Sequence, residues 1–183
     1  MSFTAVVLAG GRAARLDGAD KSSVELHGRT LLTWALDAVI DAAEVVVVGD
    51  PVPTHRPVTF TREDPRHGGP VAALLTGRDA LLDPHDSLVV IACDMPYLTA
   101  HTLLRLRTAA DGQDGAVLVG PDGRRQLALV LDVDRLDAVR PGHEKQHGLA
   151  LHRLLAPLDL VEVPAEGHEH RDVDTWADVR DLS

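Results

Sequence analysis

The chain has 183 residues, of which 45% are hydrophobic and 25% are charged, a composition typical of a globular protein. Its formal net charge of −10 argues against a general nucleic-acid surface. No apolar run approaches the ~20 residues that a membrane-spanning helix needs. The lone Cys93 excludes an internal disulfide, and no basic segment precedes the first apolar run as in a secretory signal, so we expect a cytoplasmic protein.

The first predicted element is a buried strand over residues 5–8, a short run rich in β-branched residues. It ends at Gly10-Gly11, where the missing side chains let backbone amides approach an anion. Three basic residues follow within ten positions of Gly11: Arg12, Arg15 and Lys21. This pattern predicts a phosphate-binding loop at the carboxyl end of a strand, where open α/β sheets bind ligands. A glycine turn among solvated charges is the alternative, but it does not explain the spacing of the basic residues.

Helices and strands alternate through the next part of the chain. Apolar residues at helical spacing predict a helix over 31–40, followed by a buried strand over 44–48 that ends at Gly49-Asp50. A weaker strand over 58–60 leads into a polar, glycine-rich loop containing Asp64, and Pro70 is placed to begin a helix. The most apolar strand, over 87–93, ends abruptly at Asp94.

The second half of the chain predicts a hairpin, with strands over 116–119 and 126–131 around the Asp122-Gly123 turn. The remaining predictions are helices over 101–110, 135–139 and 148–155, a strand over 158–163, and a last helix over 175–181 capped by Thr175. The predicted fold is α/β: a three-layer sandwich with a mostly parallel, Rossmann-like sheet and some antiparallel strands in the C-terminal half. We expect residues 1–183 to form a single domain.

Polar groups follow three predicted strands, at Gly10-Gly11, Gly49-Asp50 and Asp94. Because the carboxyl ends of parallel strands share one edge of a sheet, these groups are expected to converge. Asp94 is a candidate Mg²⁺ ligand, since Mg²⁺ binds one or two carboxylates together with phosphate oxygens. A turn or helix-capping aspartate before Pro96 is the alternative interpretation.

The chain resembles the MobA-like nucleotidyltransferases in two motifs. The first comprises Leu8-Ala9-Gly10-Gly11, Arg15, Asp20-Lys21 and Gly28, with Leu16-Asp17 standing where the family has Met-Gly. The second runs from Ala92 to Leu98 as Ala-Cys-Asp-Met-Pro-Tyr-Leu, and its aspartate binds magnesium in the family. Gly69-Pro70 is similar to a segment of the molybdenum cofactor guanylyltransferases, although Ala73 replaces the second glycine of that segment.

The resemblance implies roles for residues of this chain. The implied catalytic residues are Arg15, Lys21 and Asp94. The implied nucleotide-binding residues are Leu8, Ala9, Gly10, Gly11, Lys21, Asp50, Asp64 and Asp94. The implied Mg²⁺ ligands are Asp94 and Asp174, the latter within Asp172-Val173-Asp174-Thr175, where the family has Asn-x-Asn-Thr. Exposed helix-capping residues are the alternative interpretation of Asp172 and Asp174.

The implied activity is transfer of GMP from GTP onto the phosphate of molybdopterin, with release of pyrophosphate. Three alternatives stay open: cytidylyl transfer to molybdopterin, nucleotidyl transfer to a sugar or polyol phosphate, and a nucleotide-binding module without turnover. We expect no nucleic-acid or membrane partner, and a monomer or weak homo-oligomer.

Overall fold

The structure is a computed structural model that describes residues 2–10 and 21–182. The strands of this part of the chain are β1 Thr4–Leu8, β2 Glu25–Leu26, β3 Arg29–Thr30, β4 Glu44–Val48, β5 Thr59–Thr61, β6 Ser87–Ala92, β7 Gly115–Val119, β8 Arg125–Asp132 and β9 Leu160–Pro164. Its α-helices are α1 Leu31–Ala38, α2 Pro70–Asp79, α3 Ala100–Ala109, α4 Val133–Val139, α5 Leu151–Leu155 and α6 Trp176–Leu182. Among the described residues, no helix has the length and apolar character required to cross a bilayer.

A seven-stranded sheet in the order β5-β4-β1-β6-β8-β7-β9 forms the centre of the molecule. β1 lies between β4 and β6 and runs parallel to both. β8 is antiparallel to β6 and β7, and β9 is parallel to β7. The predicted mostly parallel sheet, with antiparallel character in the C-terminal half, is therefore confirmed. The predicted hairpin is also present, as β7 and β8.

Alternation of side chains along the central strands divides the core into two halves. Val6 and Val46 belong to the apolar cluster that includes residues of α2, α4 and α5. Val7 and Val47 belong to the cluster on the other face, with residues of α1 and α3. Since successive strand residues point to opposite faces, these buried valines join one helical layer to each side of the sheet. The three-layer arrangement is confirmed.

Several boundaries differ from the sequence-based predictions. The strand predicted over 58–60 is β5, one residue later, and the helix predicted from 148 begins only at Leu151. The β2–β3 hairpin was not predicted, because strands of two residues carry no periodic signal. Its turn, His27-Gly28, has positive φ at both positions, the conformation of a two-residue hairpin turn. Gly28 therefore closes a hairpin rather than only preceding a helix.

Helix α2 lies unusually close to the sheet at Gly77. A Cβ atom on Gly77 would lie 2.5 Å from Cγ1 of Val6 and 2.9 Å from Cγ2 of Val48. Distances this short require either the helix or the strands to move. The missing side chain therefore fixes how α2 sits on β1 and β4, and so where the first residues of α2 lie at the carboxyl edge of the sheet.

Gly77→Ala is expected to destabilise the protein by about 1–3 kcal/mol through overpacking, although alanine favours helix by ~1 kcal/mol over glycine. Urea unfolding of the variant measures the change. The control is the same substitution in a Val6→Ala background, where the removed methyl groups should make Gly77→Ala less costly. A stabilising Gly77→Ala would contradict the close packing.

Candidate active site

The carboxyl ends of β1, β4 and β6 meet at one edge of the sheet. The Ala9 N–H donates to the Val48 carbonyl at 2.9 Å, and the Cys93 N–H donates to the Leu8 carbonyl at 3.0 Å. These bonds continue the parallel ladders one residue beyond β1 and β6, which buries Ala9 and Cys93. The residue after Cys93, Asp94, is therefore held at the edge by a rigid central strand.

A cleft of about 400 Å³ opens at this edge, a volume within the ~300–1,000 Å³ common for small-molecule sites. Four residues predicted to bind nucleotide line it: Leu8, Gly10, Lys21 and Asp94. Ala9 is buried beside this lining, with 3% of its surface exposed. Two other predicted residues, Gly11 and Arg15, lie outside the described residues.

The ammonium of Lys21 lies between two carboxylates from distant parts of the chain. Its Nζ is 2.7 Å from Oδ2 of Asp94 and 2.5 Å from Oδ1 of Asp174. The side chains of Lys21 and Asp94 are only 16% and 19% exposed, so water screens this pair weakly. Burial lowers the pKa of Lys21, but the hydrogen bonds and charges of Asp174 and Asp94 outweigh it, and the pKa is raised above its ordinary value.

A small apolar cluster holds the two segments that carry Lys21 and Asp174. It contains Val24, Leu26 and Leu31, which follow Lys21 in the chain, together with Val173, which precedes Asp174. Val173 is fully buried, and its N–H donates to the carbonyl of Asp94 at 2.8 Å. Burial of Val173 thus fixes Asp174 opposite Lys21, and the backbone bond ties this segment to the end of β6.

Asp172 joins the same charged group. Although the residue is exposed, partial burial of its carboxyl group raises its pKa, and the neighbouring carboxylates of Asp174 and Asp94 raise it further. Among the described residues that affect the pKa of Asp172, the positive charge comes from one ammonium, that of Lys21. This ammonium stands against three carboxylates, those of Asp172, Asp174 and Asp94. The site therefore has an excess of negative charge that a cation would relieve.

A second contact holds the segment before Asp172 in place, through a buried glutamate that no sequence motif identifies. Glu169 is 8% exposed and accepts hydrogen bonds from the Thr102 hydroxyl at 2.6 Å and from Arg105 at 2.9 Å, both on α3. It also accepts the N–H of Glu166 at 2.7 Å. Such buried, charge-assisted bonds hold the loop before Asp172 against α3. Only the tertiary contact with α3 identifies this role.

Asp50 and Asp64, which the family resemblance implies as nucleotide-binding residues, are not among the residues that line the cleft. Asp50 is exposed and forms an ion pair with Arg62 at 2.7 Å. Asp64 lines a second cleft of about 540 Å³ and lies 3.3 Å from Nε2 of His143. The nucleotide-binding roles of Asp50 and Asp64 stay predictions.

Two polar residues missing from the sequence-based set do line the 400 Å³ cleft: Glu63 and His67. Both belong to the loop before α2, which the sequence identified as polar and glycine-rich. A loop sequence alone does not determine which of its side chains face a cleft, because that depends on φ and ψ at each position. His67, for instance, has a φ of 57°.

The carboxylates at the sheet edge suit a divalent metal ion that arrives with phosphate. Carboxylate oxygens are the ligands that Mg²⁺ prefers in proteins. Within residues 2–10 and 21–182, no three His, Cys, Asp or Glu side chains are arranged to bind a metal ion. Asp94 and Asp174 face a common point, now held by the Lys21 ammonium, and two carboxylates suffice where substrate phosphates complete the coordination of Mg²⁺.

Comparison with known proteins finds a family model that matches most of the chain. Residues 5–163 match the MobA-like NTP transferase domain. The molybdenum cofactor guanylyltransferase of Shewanella loihica is 30% identical over 132 residues, which are 69% of this chain and 66% of that protein. The chain thus aligns with about two thirds of the length of this relative.

Solved structures show the same fold. The 2-C-methyl-D-erythritol 4-phosphate cytidylyltransferase of Thermus thermophilus is 18% identical, with a TM-score of 0.78 and coverage of 100% of this chain and 97% of that one. The molybdopterin-guanine dinucleotide biosynthesis protein A of Archaeoglobus fulgidus is 20% identical, with a TM-score of 0.74 and coverage of 98% and 96%.

The family match defines a nucleotidyltransferase, and the solved structures share its fold. The chain belongs to the family of MobA-like NTP transferase domains. The resemblance found in the sequence motifs is thereby confirmed, as is the prediction of a nucleotidyltransferase enzyme.

Lys21→Met is expected to tighten binding of Mn²⁺ in the absence of nucleotide by about tenfold, equivalent to ~1.4 kcal/mol. The reason is that the ammonium and the metal compete for oxygens of Asp94 and Asp174. Titration calorimetry measures the affinity, and Lys145→Met is the matched control because Lys145 is an exposed lysine. Equal or weaker Mn²⁺ binding by Lys21→Met than by the wild type would contradict this competition.

Proposed function

We propose that this protein is a Mg²⁺-dependent guanylyltransferase that moves GMP from GTP onto the phosphate of molybdopterin and releases pyrophosphate. The observation that carries the proposal is the position of the Lys21 ammonium between Asp94 and Asp174 at the carboxyl edge of a parallel sheet. In such a site the two carboxylates can bind a metal ion, and the lysine ammonium can contact the phosphates that the metal ion carries. The guanylyltransferase named among the relatives supports the choice of substrates.

The reaction needs no nucleophile from the protein. An oxygen of the acceptor phosphate attacks the α-phosphorus of GTP, and the bond from that phosphorus to the bridging oxygen breaks as pyrophosphate leaves. Catalysis then consists of positioning and charge neutralisation. Lys21 would contact the β- and γ-phosphates, together with backbone amides around Gly10-Gly11 and the side chain of Arg15.

The metal would be held by Asp94 and Asp174. When bound, Mg²⁺ supplies positive charge that stabilises the phosphate oxygens in the transition state. The Lys21 ammonium forms ion pairs with both carboxylates. If Asp94 and Asp174 held a metal ion, this ammonium would be available to contact the phosphates of the nucleotide.

The choice of GTP over CTP is supported by sequence as well as by the relatives. Family members that use CTP tend to have Ala-Ala-Gly where this chain has Leu8-Ala9-Gly10-Gly11. The likeness to a cytidylyltransferase at 18% identity concerns the fold. We further propose that residues 1–183 act as one domain, in the cytoplasm, as a monomer or weak homo-oligomer without nucleic-acid or membrane partners.

The test of this proposal is a reaction containing purified protein, Mg²⁺, molybdopterin and one of the four NTPs. GTP should give pyrophosphate and a product with the mass of molybdopterin plus GMP. A product formed from CTP, or only with a sugar or polyol phosphate as acceptor, would replace the proposed substrates. If the protein bound nucleotide but released pyrophosphate with none of the four NTPs, it would be a nucleotide-binding module without turnover.

Asp94→Asn should lower turnover on the order of a hundredfold or more, as expected when an electrostatic contact to the transition state is lost. The variant keeps the shape of the side chain, so its melting temperature should stay near that of the wild type. Steady-state kinetics at several Mg²⁺ concentrations measure the effect. Asp174→Asn restores the amide usual in the family and should retain activity, whereas Asp174→Ala should lose it. Normal turnover by Asp94→Asn at low Mg²⁺ would place the metal elsewhere.

A further inference from the structure

The cleft of about 400 Å³ at the sheet edge is called the nucleotide cleft below, because we propose that GTP binds there. Among the described residues that line it, two are acidic: Asp94 and Glu63. Asp94 is engaged with Lys21 at the end of β6. Glu63 comes from a different wall, the loop that joins β5 to α2. The cleft therefore has one carboxylate beside the lysine and a second carboxylate on a separate element.

The loop turns two neighbouring acidic residues toward different clefts. Glu63 lines the nucleotide cleft, whereas Asp64 lines the second cleft together with Thr76 and His143. The backbone of Asp64 is held by Thr76, whose hydroxyl accepts the Asp64 N–H at 3.0 Å and donates to its carbonyl at 3.3 Å. This loop thus contributes to both clefts, and its contact with α2 holds Asp64 at the second cleft while Glu63 lines the first.

The carboxylate of Glu63 is held in place by its own loop. Its Oε1 accepts the N–H of His67 at 2.7 Å. The next residue, Gly68, is packed so closely that a Cβ atom would lie 2.7 Å from the Pro65 carbonyl oxygen, and its own carbonyl accepts the N–H of Gly148 at 2.8 Å. Each carboxylate oxygen has more than one lone pair, so a carboxylate in this position can still accept hydrogen bonds from a ligand.

The rest of the lining is largely apolar, formed by Leu8, Pro70, Ala73, Ala92 and Leu127 among others. Apolar surfaces beside a fixed hydrogen-bond acceptor suit a nucleoside, whose ring is flat and whose donors lie at its edge and on its sugar. The triphosphate of a nucleotide has no such hydrogen-bond donor, and the negative charge of the Glu63 carboxylate would repel it.

We infer that Glu63 determines nucleoside specificity in this cleft, its carboxylate accepting hydrogen bonds from the base edge or the ribose hydroxyls of the bound nucleotide. The inference deepens the proposed function and rests on it. It assigns to Glu63 a nucleotide-binding role of the kind that the family resemblance implied for Asp50 and Asp64. Guanine presents N1–H and a 2-amino group to a carboxylate, and ribose presents its hydroxyl groups.

Calorimetric affinities of the intact protein in Mg²⁺ test the inference, with GTP, ITP, 2′-deoxy-GTP and inorganic tripolyphosphate as probes. Glu63→Gln keeps an oxygen that can accept the His67 N–H but removes the charge. It should weaken GTP binding by about tenfold or more, the effect of losing a charge-assisted hydrogen bond, and should leave tripolyphosphate binding within about twofold. Glu162→Gln, an exposed glutamate on β9, is the matched control and should change neither affinity.

The two nucleotide analogues identify the donor. A smaller loss for ITP than for GTP assigns the contact to the 2-amino group of guanine, and a smaller loss for 2′-deoxy-GTP assigns it to the ribose. An equal loss for GTP and tripolyphosphate would overturn the inference, because Glu63 would then act on the phosphates or on the loop. Unchanged GTP binding would also overturn it, and loss of binding in Asp64→Asn alone would return the role to Asp64.

These measurements require no acceptor and no turnover, so they are independent of the catalytic assay. If the wild type binds CTP more tightly than GTP, the guanylyl assignment fails. The comparison of CTP with tripolyphosphate in Glu63→Gln still decides whether Glu63 contacts the nucleoside.

Discussion

The compensation of charge between Lys21, Asp94 and Asp174 depends on apolar packing a few residues away. Val24 and Val173 share one small cluster, and burying them brings together the two segments that carry the lysine and the second aspartate. The third group, Asp94, is placed by the central strand β6. Ionic contacts at this depth cost desolvation energy, so they persist only where the surrounding structure fixes the partners. Here the fold supplies that constraint, and the polar site follows from it.

The loop between β5 and α2 lines two separate clefts. Glu63 and Asp64 are adjacent in sequence, yet each lines a different cavity. The loop keeps this arrangement through contacts with α2, which is itself seated against β1 and β4 at Gly77. The orientation of the Glu63 and Asp64 carboxylates therefore depends on the absence of a side chain at Gly77 in the core.

Much of the fold could be predicted because buried parallel strands carry strong signals. The runs that became β1, β4 and β6 are continuous and rich in β-branched residues, and each is followed within two residues by a glycine or an aspartate. The hairpin of β2 and β3 could not be predicted, since two-residue strands have no period. In the site, Lys21 and Asp94 were found from motifs adjoining a strand or a glycine turn. Glu63 and Glu169 were not, because their roles depend on loop dihedral angles and on contact with a distant helix.

The backbone bond from Val173 to Asp94 joins residues that leave the ribosome far apart in time. The residues of β1, β4, β5 and β6, together with Lys21 and Asp94, are all synthesised before Asp174. Until Asp174 is added, Lys21 has one of the two aspartates with which it forms ion pairs in the folded chain. The order of synthesis therefore completes this group of charges only after the antiparallel half of the sheet has been synthesised and the last segment has docked beside β6.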